Sequence, residues 1–462
     1  LISMYYFRSN NRCYTSWYLE SVSSGEIFNN DTLLPITNKW FPGDILSEHY
    51  EIITSPIREL KVITGVILLS GTTYGRYDNK RLLYKCVPDD INIPIFLAPY
   101  AIKEKGFSKK LVDRYVTFIF KKWEDKHPLC SLVENIGPVT DNEAFYDYQL
   151  YKRNIPIKTN NKNIRKRIIE TLSAKPLDDI VRDMSLKWNF EDRSNEHIIT
   201  IDPNGCKDYD DAISWSQIND KERISIYISN VPIWIEYLNE WYNISESICQ
   251  RPSSIYLPNK VIPMLNEILS NNICSLVAGK LRPVLSLDIT LASNGCVEHN
   301  FNLAIIRVSN NYCYEDPILN KLSMYNSLMK ATEKLQKIST YVYSEKELDS
   351  HDLVAYYMIY MNHISAQILY DVKLGISRVH KCNSTTSINK INKIKSNISK
   401  IIDGYNGGSA KYVLSGSNTD TGHSMIGDGL DHYTHITSPI RRAVDLVNMV
   451  SIQNTLGVMC FG

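Results

Sequence analysis

Four carboxylates crowd one short stretch of this chain: Asp202, Asp208, Asp210 and Asp211, within Ile201-Asp202-Pro203-Asn204-Gly205-Cys206-Lys207-Asp208-Tyr209-Asp210-Asp211. At the end of an apolar strand such charges repel and take up protons unless divalent cations neutralise them. Oxygen-only donors suit Mg²⁺ or Mn²⁺, hard ions that also engage phosphate oxygens. A pair of such ions can activate a water and stabilise the leaving oxygen of a phosphodiester, so the loop points to hydrolysis of nucleic acid. The spacing alone also admits a calcium-binding or merely solvated acidic turn. Calcium is the weaker alternative, because the loop lacks the D-x-[DN]-x-[DN]-G register and distal Glu of an EF-hand.

The run Tyr433-Thr434-His435-Ile436-Thr437-Ser438-Pro439-Ile440-Arg441-Arg442 predicts a helix start, with Ser438 as N-cap and Pro439 at the first helical position. Arg441 and Arg442 would then lie in the first turn, facing the positive end of the helix dipole, a placement that makes sense if a phosphate binds there. Asp445 is spaced to orient one guanidinium; a purely structural ion pair is the alternative. Thr54-Ser55-Pro56-Ile57-Arg58 repeats the five letters of Thr437 to Arg441. The second copy is approached by Gly422, His423, Gly427, Gly429 and His435 and followed by a helix, whereas the first is expected to be an incidental turn. A third segment, Arg251-Pro252-Ser253-Ser254-Ile255-Tyr256-Leu257-Pro258, carries Tyr256, which by chemistry alone could stack on a base or fill a core.

The elements that must position these groups read as α+β. Residues 1–40 show weak periodicity and stay unassigned. Across 41–150, short β-rich runs (Lys61–Leu69, Leu82–Cys86, Ile93–Leu97, Tyr115–Phe120, Ser131–Ile136) separated by Gly, Pro, Asp and Asn predict one or two small β-barrels. Asp141–Lys187 reads as helical, with a basic patch at Lys162, Arg165, Lys166 and Arg167, so that 151–195 is a helical linker. From 196 to 462 the pattern mixes strands (Glu196–Ile201, Ala212–Ser216, Arg223–Val231, Leu285–Leu291, Ile305–Val308) with helices (Ile235–Gln250, Ile318–Ser339, Leu353–Leu369).

With 51 basic and 50 acidic residues among 462, there is no global basic field from which nucleic-acid binding could be argued. Between Val372 and Lys400, however, Lys373, Arg378, Lys381, Lys390, Lys393, Lys395 and Lys400 have no acidic neighbour, which suits a phosphate-facing surface or a solvated face. Ten scattered cysteines without a C-x-x-C pair argue against zinc and for reduced thiols, hence a cytoplasmic location with the nucleus as the alternative. No apolar run approaches the roughly 20 residues that span a bilayer, so a membrane partner is not expected. The chain starts at Leu1 and stops at Gly462, and either end is read as open to being cut.

In order and spacing the three segments resemble the RNB catalytic domain of the ribonuclease II and ribonuclease R family, which includes the exosome catalytic subunit. The resemblance runs from about Ile199 through the aspartate loop, the Tyr-Leu-Pro segment, Arg282–Leu291, Tyr314-Glu315, Asn362, Gly375 to His380 and the Ser-Pro-Ile-Arg-Arg segment. More loosely, the N-terminal half is similar to the family's paired cold-shock-like OB barrels, through Pro88-Asp89-Asp90 to Pro94 and Lys122-Trp123 to Pro128 and Gly137.

The resemblance implies an RNB domain behind OB barrels and a monomer that hydrolyses single-stranded RNA from its 3′ end to nucleoside 5′-monophosphates. It implies Mg²⁺ or Mn²⁺ at Asp202, Asp208, Asp210 and Asp211, with Asp210 the most sensitive position. It puts Arg441 on the phosphate, Tyr256 against the 3′-terminal nucleotide, and Arg442, Arg378 and His380 among the further RNA contacts. Departures from the family pattern stand at Asn230, Ala355, Tyr356, Leu374, Ala443 and Met449, as in a divergent member of the kind carried by large DNA viruses. The family's C-terminal OB domain does not follow before Gly462. The alternative is an inactive RNA-binding scaffold that keeps the fold; such members lose the aspartates, and here all four stand with Arg441.

Overall fold

Alternate side chains of Tyr5–Ser9 point inward, Phe7 and Ser9 being buried, and the strand pairs antiparallel with Trp17–Ser21 on one side and Ile45–Leu46 on the other. This period of two is the signature of a half-buried strand. In a computed structural model of the chain, all residues are described except 1–3, 31, 61, 79, 102–110, 158–161, 293–294, 339–347, 381–408, 418–421, 424–429 and 458–462. Lys381, Lys390, Lys393, Lys395, Lys400, Gly427 and Gly429 of the sequence reading lie outside the described residues.

The described chain divides into two compact units, Leu1–Lys158 with Leu257–Asn259, and Thr159–Tyr256 with Lys260–Gly462. In the first, a five-stranded antiparallel sheet runs in the order Ile27–Phe28, Trp17–Ser21, Tyr5–Ser9, Ile45–Leu46, Ile52–Thr54. The segment 1–40, unassigned from sequence, therefore supplies three of its strands. They are two to five residues long, too short for their alternation to stand out. A second sheet joins Ile63–Ile67, Arg114–Lys122, Leu129–Pro138, Phe96–Tyr100, Arg81–Pro88 and Arg76–Tyr77. Ile63–Ile67 also pairs with Arg81–Pro88, which closes five of these strands into an OB-like barrel. Between these two sheets of the unit, Phe7, Leu19, Trp40, Phe41, Phe96 and Phe118 are buried in one core. The first Thr-Ser-Pro-Ile-Arg copy is not incidental: Pro56–Glu59 is a single helical turn whose Arg58 pairs with the fully buried Asp44 at 2.9 Å.

The second unit holds a seven-stranded sheet in the order Glu191–Arg193, Val297–Arg307, Leu281–Leu291, Lys221–Ser229, Asp211–Ile218, Ile199–Asp202, Asn310–Cys313. Its inner strand Leu281–Leu291 is buried on both faces except at Thr290, so it reads as continuous rather than alternating. The bidentate pair Arg193–Asp288, 2.7 Å on each arm, ties the edge strand Glu191–Arg193 to this strand. The helix expected over Ile235–Gln250 is two helices, Val231–Leu238 and Trp241–Gln250. Asn239 breaks it by adopting the left-handed conformation (φ 52) and donating its N–H to the carbonyls of Ile235 and Glu236. The expected Leu353–Leu369 helix extends over Ser350–Asp371, started by a capping box of Asp349 and Asp352. The helix expected over Ile318–Ser339 is described at Ser323–Ile338, after a short 3₁₀ turn at Leu319–Lys321. The architecture is the mixed α+β expected, with all-β sheets ahead of it. Among the described residues no helix is long and apolar enough to cross a membrane.

Candidate active site

Asp202 ends one strand and Asp211 begins the next, and these strands pair antiparallel at Ile199 and Ile213. The loop between them is pinned by Ser275, a residue the sequence reading did not single out. Tyr209 N–H donates to Ser275 Oγ (3.0 Å), and that hydroxyl donates to the Lys207 carbonyl (2.7 Å). Ser275 is held in turn by the buried Arg282, whose Nε donates to the Ser275 carbonyl (2.9 Å) and Nη2 to that of Asn272 (2.8 Å).

Asp210 is buried, one carboxylate oxygen hydrogen-bonded and the other in an ion pair alone. Oδ1 accepts from Ile440 N–H at 2.9 Å and Oδ2 lies 3.2 Å from Arg441 Nε. Burial raises its pKa well above the usual range, against the lowering effect of Arg441 and the Ile440 N–H. Asp211 is pushed up to about 7 by burial and by Asp202. Asp202 is pushed up to about 6, by burial first, with Thr200 and Arg441 opposing and Asp208 adding. Asp202 Oδ2 is buried with no hydrogen-bond partner among the described residues. Asp208 Oδ2 accepts from the Tyr256 hydroxyl at 2.9 Å.

The arginine segment corrects the expected helix start: the helix is Ala443–Thr455, with Arg442 in extended backbone (φ −135) as its N-cap. Ser438–Arg441 is instead a turn in which Arg441 N–H and Arg442 N–H both donate to the Ser438 carbonyl (3.2 and 3.0 Å). Two long-range contacts hold Arg442 out of the helix. Ser254 N–H donates to the Arg441 carbonyl and Ala443 N–H to that of Pro252, each at 2.9 Å, zipping the Tyr256 segment antiparallel onto the arginines. Asp445 takes Arg442 as its partner (2.7 Å), while its Oδ1 also accepts from Ser438 N–H (2.7 Å).

The four aspartates, Tyr256, Arg441 and Arg442 line one cavity of about 1010 Å³. Its far wall carries the Tyr314 and His351 rings, stacked at 3.9 Å with 12° between planes, and Tyr314 N–H bonds the Asp202 carbonyl (3.2 Å). His351 was not found from sequence, where a lone histidine at a helix start gives no signal. Asn362 buttresses the same wall, accepting from Ile436 N–H (2.9 Å) and donating to the Tyr433 hydroxyl (3.0 Å).

Arg378 and His380, expected as RNA contacts, do not line this cavity. Arg378 Nη1 donates to His423 Nε2 (2.9 Å), and His380 is buried with its ring 5.6 Å from that of His423. Burial and Arg378 push His423 down to about 4, which keeps it neutral as the acceptor. Both sit at the hairpin of Ile376–Val379 with Lys411–Leu414, which Asn448 fastens to the site: its Oδ1 accepts from Ile376 N–H (2.7 Å) and its Nδ2 donates to Thr434 Oγ1 (2.6 Å). Gly375 (φ 79) makes room for that amide, since a Cβ there would fall 2.7 Å from Asn448 Oδ1. Asn230 has a role of its own, capping Val231–Leu238 and donating to Gln453 Oε1 (3.1 Å).

No three His, Cys, Asp or Glu side chains among the described residues are already grouped to hold a metal ion. The donor chemistry nonetheless fits a divalent cation. Burial raises Asp202 and Asp211 above the usual carboxylate range, the charge of Asp202 adds to the rise at Asp211, and Asp202 Oδ2 is an orphaned acceptor, conditions a hard cation relieves.

The family model described as RNB domain matches residues 190–319 and 317–457. Ribonuclease R of Thermotoga maritima is 24% identical over 342 residues, covering 68% of this chain and 46% of that protein. The chain spans about half the length of the curated relatives it matches. Among solved structures, RNase R of Mycoplasma genitalium in complex with ribose methylated single-stranded RNA superposes with a TM-score of 0.65 at 19% identity, covering 97% of this chain and 78% of that one. Yeast Ssd1, a pseudonuclease, superposes with a TM-score of 0.59 at 15% identity, covering 100% of this chain and 70% of that one. At such identities the likeness is one of fold.

Proposed function

The chain belongs to the RNB family, and from that premise we propose that it is a metal-dependent exoribonuclease hydrolysing single-stranded RNA from the 3′ end to nucleoside 5′-monophosphates. The observation that carries the reading is the convergence, in one cavity, of four crowded carboxylates, one buried and three half-buried, an arginine and an exposed aromatic ring. Polarity and product are carried by the family resemblance.

Asp202, Asp208 and Asp211 would hold Mg²⁺ or Mn²⁺, which when bound supplies Lewis acidity and a water of lowered pKa. Asp210 works on the arginine side, fixing the backbone at Ile440 and one edge of the Arg441 guanidinium. Arg441, its side chain 43% exposed, presents its remaining N–H groups to the phosphate and offsets the charge that grows there during displacement. The Tyr256 ring, on the cavity rim, offers a stacking face to the terminal base. Single-stranded RNA is the partner and a monomer the working unit. The free thiols of Cys13, Cys86, Cys130, Cys206, Cys249, Cys274 and Cys313 suit a reducing cytoplasmic or nuclear setting.

A second reading, a non-catalytic RNA-binding scaffold, is compatible with a fold shared with a pseudonuclease and is favoured by the pairing of Asp210 with the arginine segment, Oδ1 on the Ile440 N–H and Oδ2 beside Arg441. A 5′-labelled single strand incubated with Mg²⁺ or Mn²⁺ separates the two. Progressive shortening from the 3′ end, lost in Asp210→Asn, supports the nuclease. Full RNA binding without cleavage under either ion establishes the scaffold.

A further inference from the structure

One hydroxyl stands between the two halves of the site. The Tyr256 phenol donates to Asp208 Oδ2 at 2.9 Å, and the Arg441 guanidinium interacts with that phenol oxygen as well. Arg441 is otherwise anchored by two edges, Nε on Asp210 and Nη2 on Ser438 Oγ (3.1 Å). Its approach to Tyr256 is therefore the contact left for a phosphate to replace. Asp208 has its other oxygen 3.8 Å from the Cys206 thiol, a weak donor. The backbone beneath Tyr256 is fixed by the pairing of Ile255–Tyr256 with Val261–Ile262 and by the Ser254–Arg441 bond, while the side chain is 54% exposed. The ring thus stands half in solvent on a fixed base, held at its far end by its hydroxyl.

We propose that the Tyr256 hydroxyl is a placeholder that, without RNA, occupies both the carboxylate of Asp208 and the phosphate-facing side of Arg441, and that stacking of a base on the Tyr256 ring withdraws it from both at once. Cation binding and RNA binding are then coupled, each strengthening the other by the same factor, since linkage is reciprocal. The inference rests on the nuclease reading for its ligands and adds to it a route by which an empty site is kept from loading a cation.

Tyr256→Phe tests it, keeping the stacking ring and removing only the hydroxyl. Mn²⁺ binding is measured by titration calorimetry and by the loss of the free-ion EPR signal, without RNA and with a 2′-O-methylated single strand. A hydrogen bond to a carboxylate that no longer competes corresponds to about tenfold tighter Mn²⁺ binding by the RNA-free variant than by the unaltered protein. The gain in Mn²⁺ affinity that the strand confers on the unaltered protein should shrink by the same factor. Tyr256→Ala should match the Phe variant in Mn²⁺ binding while binding the strand more weakly. Equal Mn²⁺ affinity of the Phe variant and the unaltered protein, in a protein that cleaves RNA, overturns the placeholder and leaves the nuclease standing. Absence of both Mn²⁺ binding and cleavage in the unaltered protein overturns both.

Discussion

The residues Thr-Ser-Pro-Ile-Arg occur at 54–58 and again at 437–441, and in both places they fold the same way locally. Ser55 O accepts from the N–H groups of Arg58 and Glu59 (3.1 and 3.3 Å), and Ser438 O from those of Arg441 and Arg442 (3.2 and 3.0 Å). Each turn throws its arginine back onto an aspartate from elsewhere in the same unit, Asp44 or Asp210. The surroundings differ. Arg58 spends its guanidinium on Asp44, on Ser55 Oγ and on the Lys39 carbonyl, with Phe41 and Phe120 rings stacked at 4.8 and 5.4 Å. Arg441 has no such ring cover among the cation–ring contacts described, and it opens on the carboxylate cavity. The pentapeptide thus encodes a geometry, while sealing decides whether that geometry holds a core or presents a charge.

The comparison breaks most sharply at the aspartates and arginines. Asp210→Asn and Arg441→Ala should each lower RNA cleavage, by at least about 10³-fold and by about 10²-fold respectively, with far-UV dichroism retained. Asp44→Ala and Arg58→Ala should do the reverse. Cleavage per folded molecule is expected to be unchanged, while urea unfolding shows a loss of about 3 kcal/mol, the consequence of stranding one member of a buried pair. Loss of cleavage in the Arg58 variant at unchanged stability would erase the distinction.

The pH response should come from the second region. Asp202 and Asp211 have folded-state pKa values raised to about 6 and about 7, above the ordinary carboxylate value. Protons are therefore bound more tightly in the folded state, and their contribution to stability is complete below pH ~4 and is lost as pH rises through 6 to 7. A cation favours the ionised form, so the rise in Tm given by Mg²⁺ should be larger at pH 8 than at pH 5. Scanning calorimetry should show this difference in Asp44→Ala and not in Asp202→Asn.

The smallest contrast lies in the serines. Ser55→Ala should cost about 1–2 kcal/mol of stability, because its buried hydroxyl donates to Asp44 at 2.5 Å. Ser438→Ala should leave stability within about 1 kcal/mol and lower cleavage several-fold, through a less well oriented Arg441. Urea unfolding and initial rates measured on both variants decide it.

The aspartate loop, Tyr256, Arg441 and the Arg442–Asp445 pair were legible because residue type and local spacing carry them. What was not legible depends on distant partners. The helix N-cap moved from Ser438 to Arg442 because Pro252 and Ser254 hold Arg442 in extended backbone, and nothing within 433–442 announces that pairing. Arg378 and His380 face His423 rather than the cavity for the same reason. The N-terminal strands were missed because two-residue pairings such as Ile27–Phe28 have no periodicity to read, and Asn448 because a buried asparagine inside a helix looks like any other.

Asp210 accepts from the Ile440 N–H, 230 residues further on. A ribosome adding about 5–20 residues per second needs roughly 10–50 s to cover that distance. Through that interval the emerging polypeptide carries its aspartates without their arginine, and whatever the assembled centre does to RNA is withheld from the message still being read.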